Sequence, residues 1–366
     1  MTLFFDGVPY CDGVDATSST IAQIEYEHLL KQIRRVAYQI IAPLLVATGV
    51  VGNMLNLIVL CRPFFNSCTR TYLRVLAIAD IIILLLDIPM IIRLNGKQNT
   101  NIFTAVYHAY VEIPIITTFI AFNVYVVTCL TVDRYVSVCA PTKFKSFHTS
   151  KRAKIAVVVA ITISVVLSFP LILLKTVCSC KITGSWGFKD NVNITGTTYW
   201  YAYLLGSEIM MRIGPAMFVA ILNILIIRQF RIITKKRNES QNTDIKVYMH
   251  RTKKYQEEKR LVILLQIIVV LFCTTMIPSS CLSIWYTIHP SRSYSFEVFR
   301  AVANLLEMTN FGLNFGAYFL CSKEFRKALL SIFVNLNVET KSFHKQCNYI
   351  NRKEPIKPIA TTTIHF

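Results

Sequence analysis

The sequence predicts an all-α membrane protein: a bundle of seven transmembrane helices, with an amphipathic helix lying on the membrane surface after the seventh. Three observations predict it. The chain is 54% hydrophobic and only 16% charged, which is more apolar than soluble domains are. Its apolar residues gather in seven runs, each of about 20 residues or more, the length a helix needs to cross a bilayer. Its basic residues gather in alternate connections between those runs.

The first run, Val36–Leu60, has Pro43 near its start and Gly52-Asn53 in "GVVGNMLNL". The second, Tyr72–Ile92, places Asp80 midway, in "VLAIADIIILLL", and then Asp87 and Pro89. The third, Phe103–Leu130, holds Glu112, Pro114 and Asn123 and leads into "LTVDRYVSVCAP", which puts Asp133, Arg134 and Tyr135 at its end. The fourth, Ile155–Leu174, contains Pro170. The fifth, Tyr199–Ile227, contains Glu208, Arg212 and Pro215, and the sixth, Leu261–Ile288, contains Met276 and Pro278. The seventh, Val298–Leu320, carries Glu307 and "TNFGLNFGAY", with Asn310, Asn314 and Tyr318. Polar groups interrupt the third, fifth and seventh runs, so those lean on length and flanking charge. Beyond them, "FLCSKEFRKALLSIF" sets Phe325, Ala328, Leu329, Ile332 and Phe333 on one helical face and Lys323, Arg326 and Lys327 on the other. That pattern is a helix lying in the inner leaflet. Residues 1–35 read as an outer N-terminus, 36–333 as the membrane domain with its surface helix, and 334–366 as a cytoplasmic tail.

The formal net charge is +19. On a soluble protein that would suggest nucleic acid, but the distribution excludes it. Arg62, Arg70 and Arg74 form one group; Lys143, Lys145, Lys151, Arg152 and Lys154 a second; the stretch from Arg228 to Arg260 is the largest. The intervening connections are poor in basic residues. This is the positive-inside asymmetry. It predicts a multi-pass protein of the plasma membrane, N-terminus outside, tail in the cytosol. The opening "MTLFFDGVPYCDGVD" has no basic stretch, so no cleavable signal peptide is expected.

Of 11 cysteines, Cys11, Cys178 and Cys180 fall on the predicted outer side, where disulfides persist. Cys321 and Cys347 lie where palmitoylation occurs, with a plain thiol as the simpler reading. No Cys/His cluster has metal-site spacing. Asn193-Ile194-Thr195 is a glycosylation sequon in the second outer loop. No repeat, enzyme domain or catalytic constellation is present, so no enzyme and no cofactor is expected beyond a sodium ion at Asp80.

Ionisable groups inside a membrane are expensive, and each is a functional hypothesis. Asn53, Asp80, Asn123, Asn310, Asn314 and Tyr318 converge, on this reading, around one buried carboxylate. An interhelical hydrogen-bond network is one account of them and a sodium-dependent switch the other. The switch is preferred because an unpaired buried Asp80 would be costly. Asp87, Arg93, Glu112, Glu208, Arg212 and Glu307, with Met276, form a second set nearer the outer side. Glu208 and Arg212 are four apart and can simply pair with each other. The others make an acidic outer region suited to a positively charged ligand. The prolines permit kinks in several helices.

These motifs, in this order and one per helix, resemble the rhodopsin-like (class A) G-protein-coupled receptors: Gly52-Asn53, "LAIAD" ending at Asp80, "DRYVSVCAP" from Asp133, Pro215, Pro278 and "NFGAY" from Asn314. The resemblance covers residues 37–333. It implies that Asp133 and Arg134 restrain each other at rest, that Glu258 at the base of the sixth helix is a second partner of Arg134, and that an agonist frees Arg134 for a heterotrimeric G protein. Within the family, Phe315 in "NFGAY", "LNILI" in the fifth helix and "DRYVSVCAPTKF" resemble invertebrate, nematode-like FMRFamide-type neuropeptide receptors. That implies a short amidated extracellular peptide as ligand, often ending in Arg-Phe-amide, whose arginine would match the acidic set. A chemosensory receptor for environmental small molecules is the alternative.

The sequence departs from the family pattern at four places. Ala109 stands where relatives carry the disulfide cysteine of the third helix, so Cys178 and Cys180 lack their usual partner and Cys11 is a candidate for one of them. The fourth helix has no tryptophan. Met276 replaces the toggle tryptophan, and Asn223 replaces a common tyrosine. Ile116 stands where an aminergic receptor needs an acid, and the seventh run has no lysine for retinal.

Overall fold

The computed structural model describes residues 21–61, 68–94, 101–142, 144, 148–179, 186–239, 263, 266–285, 294–323 and 325–331. Six of its helices are long and apolar enough to cross a membrane: α1 (His28–Leu60), α2 (Thr69–Arg93), α3 (Ile102–Cys139), α4 (Ser150–Leu173), α5 (Thr198–Lys235) and α6 (Gln266–Trp285). The seventh, α7 (Tyr294–Cys321), has 28 residues. It has the length, but Asn304, Glu307, Asn310 and Asn314 dilute its apolar run. The seven predicted spans are thus all helical where described. α3 continues well past its apolar run and carries Asp133, Arg134 and Tyr135 on its last turns.

Three prolines explain local departures from α geometry. A proline has no N–H, so the carbonyl four residues earlier loses its partner. In α1 the N–H of Ala42 reaches Ala37 O, in α3 that of Glu112 reaches Tyr107 O, and in α5 that of Gly214 reaches Ile209 O. Each bond spans five residues instead of four, making wide π-type turns at Arg35–Ile41, Tyr107–Val111 and Ile209–Ile213. These turns end just before Pro43, Pro114 and Pro215. One extra residue rotates the preceding segment by about 100° against the rest of its helix. Glu112 and Arg212, both buried, lie at or beside two of these turns.

α3 packs against α2, α4 and α5, and α1 packs against α2 and α7. The main core joins Ile83, Leu84, Ile116, Ile120, Phe272, Met276, Met308 and Phe311. A second joins Leu76, Val126, Leu130, Ala153 and Ala160 across α2, α3 and α4. Glycine is required where α1 meets α7: a Cβ on Gly49 would lie 3.2 Å from Gly312 Cα and 2.6 Å from Leu84 Cδ1. Asn53 Nδ2 spans the same contact, donating to Phe311 O at 2.7 Å. A Cβ on Gly316, one turn after Gly312, would meet nothing within 4 Å, so the close packing falls on Gly312.

Between α4 and α5 lies an antiparallel hairpin, β1 (Lys175–Ser179) and β2 (Trp186–Asp190), with Val177 opposite Phe188 and Cys178 opposite Gly187. The hydropathy reading contains no such element. Cys178 is disulfide-bonded; Cys11 and Cys180 lie outside the described residues. Asn193 is exposed on the helical turn Val192–Thr195. Cys347 is also outside the described residues.

The chain divides into two compact units, Met1–Cys321 and Ser322–Phe366. In the second, residues 325–331 form a short helix α8. Ser322 Oγ accepts the N–H of Phe325 at 3.1 Å and caps its start. Phe325 and Leu329, one turn apart, are its buried face, and Lys327 is exposed. Ile332 and Phe333, assigned to the same face, lie outside the described residues.

Candidate functional site

Polar groups sit at three levels of the bundle. At the hairpin end, Glu112 Oε2 accepts from His108 Nδ1 at 2.7 Å and from Arg93 Nη2 at 3.4 Å. A carboxylate cannot donate, so His108 carries its proton on Nδ1. The hairpin closes over this group with Phe188. Arg93 Cζ lies 5.6 Å and Lys175 Nζ 4.7 Å from the Phe188 ring centre, and the His108 ring is 5.8 Å away. Both cations are within cation–π range. Lys175 is 2% exposed and lies 3.8 Å from Asp190.

A second group at the same end crosses three helices. Arg212 of α5, 3% exposed, donates through Nη1 to Ser279 Oγ of α6 at 3.0 Å. Its Nη2 lies 2.9 Å from Glu307 Oε1 of α7. The N–H does not point along the oxygen lone pair there, so this contact is an ion pair without an aligned hydrogen bond. Ser279 Oγ donates to Glu307 Oε2 at 2.8 Å, and Ser283 Oγ donates to Glu208 Oε1 at 2.9 Å. Glu208 and Arg212 approach only to 4.0 Å. The expected pairing along α5 is therefore the weaker contact, and the closer partner of Arg212 is on α7. Met276 is buried in the main core beside Phe272. Asp87 is 1% exposed and within electrostatic reach of Glu307 and Glu112.

At mid-depth, Asp80 is fully buried. Asn123 Nδ2 donates to its Oδ1 at 2.5 Å and Asn314 Nδ2 to its Oδ2 at 2.6 Å. The sequence favoured a cation because an unpaired Asp80 would be costly; the structure pairs both oxygens. The two amides turn donors, not oxygens, toward the carboxylate, so the arrangement does not fit a sodium ion. No group of three His, Cys, Asp or Glu suited to a metal occurs among the described residues. Tyr318 is buried within electrostatic reach of Asp80. Asn53 holds α7 rather than Asp80, and Asn310 is half-buried without a bond to it. Asp80→Ala should strand two amide donors, at about 1–3 kcal/mol each. A lower apparent melting temperature of the purified chain checks this, and an unchanged one refutes the network.

At the opposite end, Asp133 Oδ2 accepts from Arg134 Nη2 at 3.0 Å and Thr69 Oγ1 at 3.2 Å, and its Oδ1 accepts from His148 Nδ1 at 2.8 Å. His148 stacks on Phe144, centroids 4.5 Å apart. Tyr135 is half-buried beside them. Glu258 lies outside the described residues. Nearby, Gln266 Nε2 of α6 donates to Asn223 Oδ1 of α5 at 2.8 Å, so Asn223 makes an interhelical bond where the resemblance expects a tyrosine.

Sequence reasoning missed His108, Lys175, Phe188, Thr69, Ser279, Ser283 and His148. Ser279 and Ser283 left a signal: they are four apart, just after Pro278, on one face of an apolar helix. His108 left one too, standing one helical turn before Glu112; the others left none, because their partners are distant in sequence.

Residues 52–314 match the 7 transmembrane receptors of the rhodopsin family. Among curated relatives, a probable G-protein-coupled receptor of Caenorhabditis elegans is 30% identical over 322 residues, 83% of this chain and 77% of that one. An FMRFamide receptor of Drosophila melanogaster is 26% identical over 308 residues, 78% of this chain and 51% of that one. A neuromedin-U receptor 2 of Mus musculus is 22% identical over 298 residues, 80% of this chain and 74% of that one. Seven helices with Asp80 and Asn314 joined at mid-depth and Asp133-Arg134-Tyr135 at one end, together with these matches, establish that the chain belongs to the rhodopsin family of G-protein-coupled receptors, signalling proteins of the membrane and not enzymes.

Proposed function

We propose that this receptor binds a short amidated peptide of the FMRFamide kind at its hairpin end and signals through heterotrimeric G proteins at its Asp-Arg-Tyr end. One observation carries the ligand reading. The hairpin end buries four carboxylates, Asp87, Glu112, Glu208 and Glu307, against three fixed cations, Arg93, Lys175 and Arg212. Excess buried negative charge is costly, and a cationic ligand offsets it. The FMRFamide and neuromedin-U receptors among the relatives support a peptide. The basic residues around Arg134 support a cytosolic position for that end, and hence an outer position for the hairpin and for a glycan on Asn193. The Asp133–Arg134 pair is the resting latch, and Glu258 is its second partner.

The test is a G-protein activation assay in cells expressing the chain, with mock-transfected controls. The probes are Phe-Met-Arg-Phe-amide and its analogue with citrulline, which has the shape of arginine without the charge. The arginine peptide should act at least about tenfold more potently, and Glu112→Gln should narrow that gap. Equal potency of the two peptides removes the cationic-ligand reading; silence of both, with surface expression verified, removes the peptide reading.

A further inference from the structure

In α5 the wide turn leaves one carbonyl that the helix itself cannot serve. The N–H of Gly214 reaches back to Ile209 O. In that pattern the next carbonyl, Met210 O, falls to residue 215, and Pro215 has no N–H. Plain α geometry would orphan Met211 O instead. Either register strands a carbonyl inside the membrane, where a neighbouring helix has to supply the donor. The donor comes from α3, which packs against this turn. Tyr125 of α3 is half-buried and donates from Oη to Met210 O at 2.9 Å. The hydroxyl therefore serves the carbonyl that the wide register orphans. The same solution recurs in α4, where Tyr203 of α5 donates to Leu167 O at 2.7 Å, beside the tight turn Phe169–Leu173 that holds Pro170.

The register of this turn sets the rotation of the outer half of α5. Removing the extra residue would turn that half by about 100° against the rest. Each residue of the outer half would then give its place to the next in sequence. Ile209, now 53% exposed, would stand where Glu208 now accepts from Ser283 of α6. Leu204 would stand where Tyr203 now donates to α4. Neither replacement can make the bond it displaces. We propose that Tyr125 is a positioning residue of the hairpin-end site: its hydroxyl holds α5 in the wide register, and that register turns Glu208 to Ser283. The assignment does not depend on which ligand the hairpin end takes. It gives α3 a second task, since the helix that presents Arg134 at its end also fixes the rotation of α5 from its middle.

The test is a series of melts of the purified full chain in detergent. Tyr125→Phe removes one hydroxyl and keeps the ring, and should lower the apparent melting temperature by about 2–4 °C. In a Pro215→Ala background residue 215 has its own N–H, so the same substitution should cost less than about 1 °C. Tyr125→4-aminophenylalanine keeps a donor and should melt as wild type does. Tyr125→4-methylphenylalanine keeps the volume without a donor and should melt as Tyr125→Phe does. Positioning is read by combining variants. Glu208→Gln takes away the charge that Ser283 and Arg212 meet. Its shift in the Tyr125→Phe background should be at most about half its shift in wild type, because part of the population no longer presents Glu208 to Ser283. Thr69→Val removes a donor from Asp133 at the other end of the bundle, and its shift should be the same in both backgrounds.

Equal melting of wild type and Tyr125→Phe overturns the proposal. A loss that Pro215→Ala does not relieve overturns it as well, because the hydroxyl then serves something other than the carbonyl the proline leaves. Additive shifts for Tyr125→Phe and Glu208→Gln reduce the bond to a structural one and overturn the positioning role. A Thr69→Val shift that changes with Tyr125 does the same, by showing general loosening. If Tyr125→Phe alone does not fold, it should fold once Pro215→Ala is added; failure there also overturns the assignment.

Discussion

Arg212→Met is expected to lower the stability of the receptor by about 3–5 kcal/mol, the cost of removing one partner from a buried ion pair. The side chain is 3% exposed, and Glu307 beside it is 2% exposed. Methionine fills much of the volume but supplies no donor. Glu307 Oε1 would lose a cation at 2.9 Å, and Ser279 Oγ would lose a donor at 3.0 Å. Glu208, already 4.0 Å away, would lose its nearest positive charge on α5. Arg212→Lys should recover only part of the loss, because an ammonium group cannot hold Ser279 and Glu307 with the fixed fork of a guanidinium. Adding Glu208→Gln and Glu307→Gln to Arg212→Met should recover most of it, since the cost lies in uncompensated charge. The apparent melting temperature of the purified chain and its surface level in cells measure the series. A single Arg212→Met variant as stable as wild type would show that the guanidinium is not the tie between α5, α6 and α7.

Arg134→Ala should abolish G-protein activation while leaving surface expression and ligand binding near wild type. Arg134 is buried at the end of α3, against Asp133. Asp133 keeps two further donors without it, Thr69 and His148, so the acid is not stranded and the fold should survive. That separates this substitution from Arg212→Met: the first removes a coupling group and the second a structural cation. His148→Phe keeps the stack on Phe144 and removes one donor from Asp133, so its basal signalling should rise. Retained coupling by Arg134→Ala, at equal surface expression, would remove Arg134 from the G-protein interface.

The seven spans were legible because burying a helix in lipid demands a local property, a run of apolar residues long enough to cross. Asp80 stood out because a charge in such a run is rare. Its neighbours were less legible. Asn123 and Asn314 do reach it, but Asn53 faces the backbone of α7, and all three look alike in sequence. The hairpin was invisible to hydropathy: Lys175–Ser179 and Trp186–Asp190 are short, mixed in polarity, and stabilised by pairing with each other. Its Phe188 acquires a role only through Arg93, His108 and Lys175, drawn from α2, α3 and its own hairpin.

By itself the sequence determined the class, the spans and the family motifs, because each depends on composition within one segment or on a short fixed pattern. The tertiary structure alone decided the pairings. Glu208 and Arg212 share a helix face by spacing, yet the wide turn before Pro215 and the placement of α7 give Arg212 to Glu307. Asp133 and Arg134 are neighbours in the chain, yet Thr69 and His148 complete their site from other elements. An ion pair forms where distance and desolvation favour it, and both are set by how the helices pack.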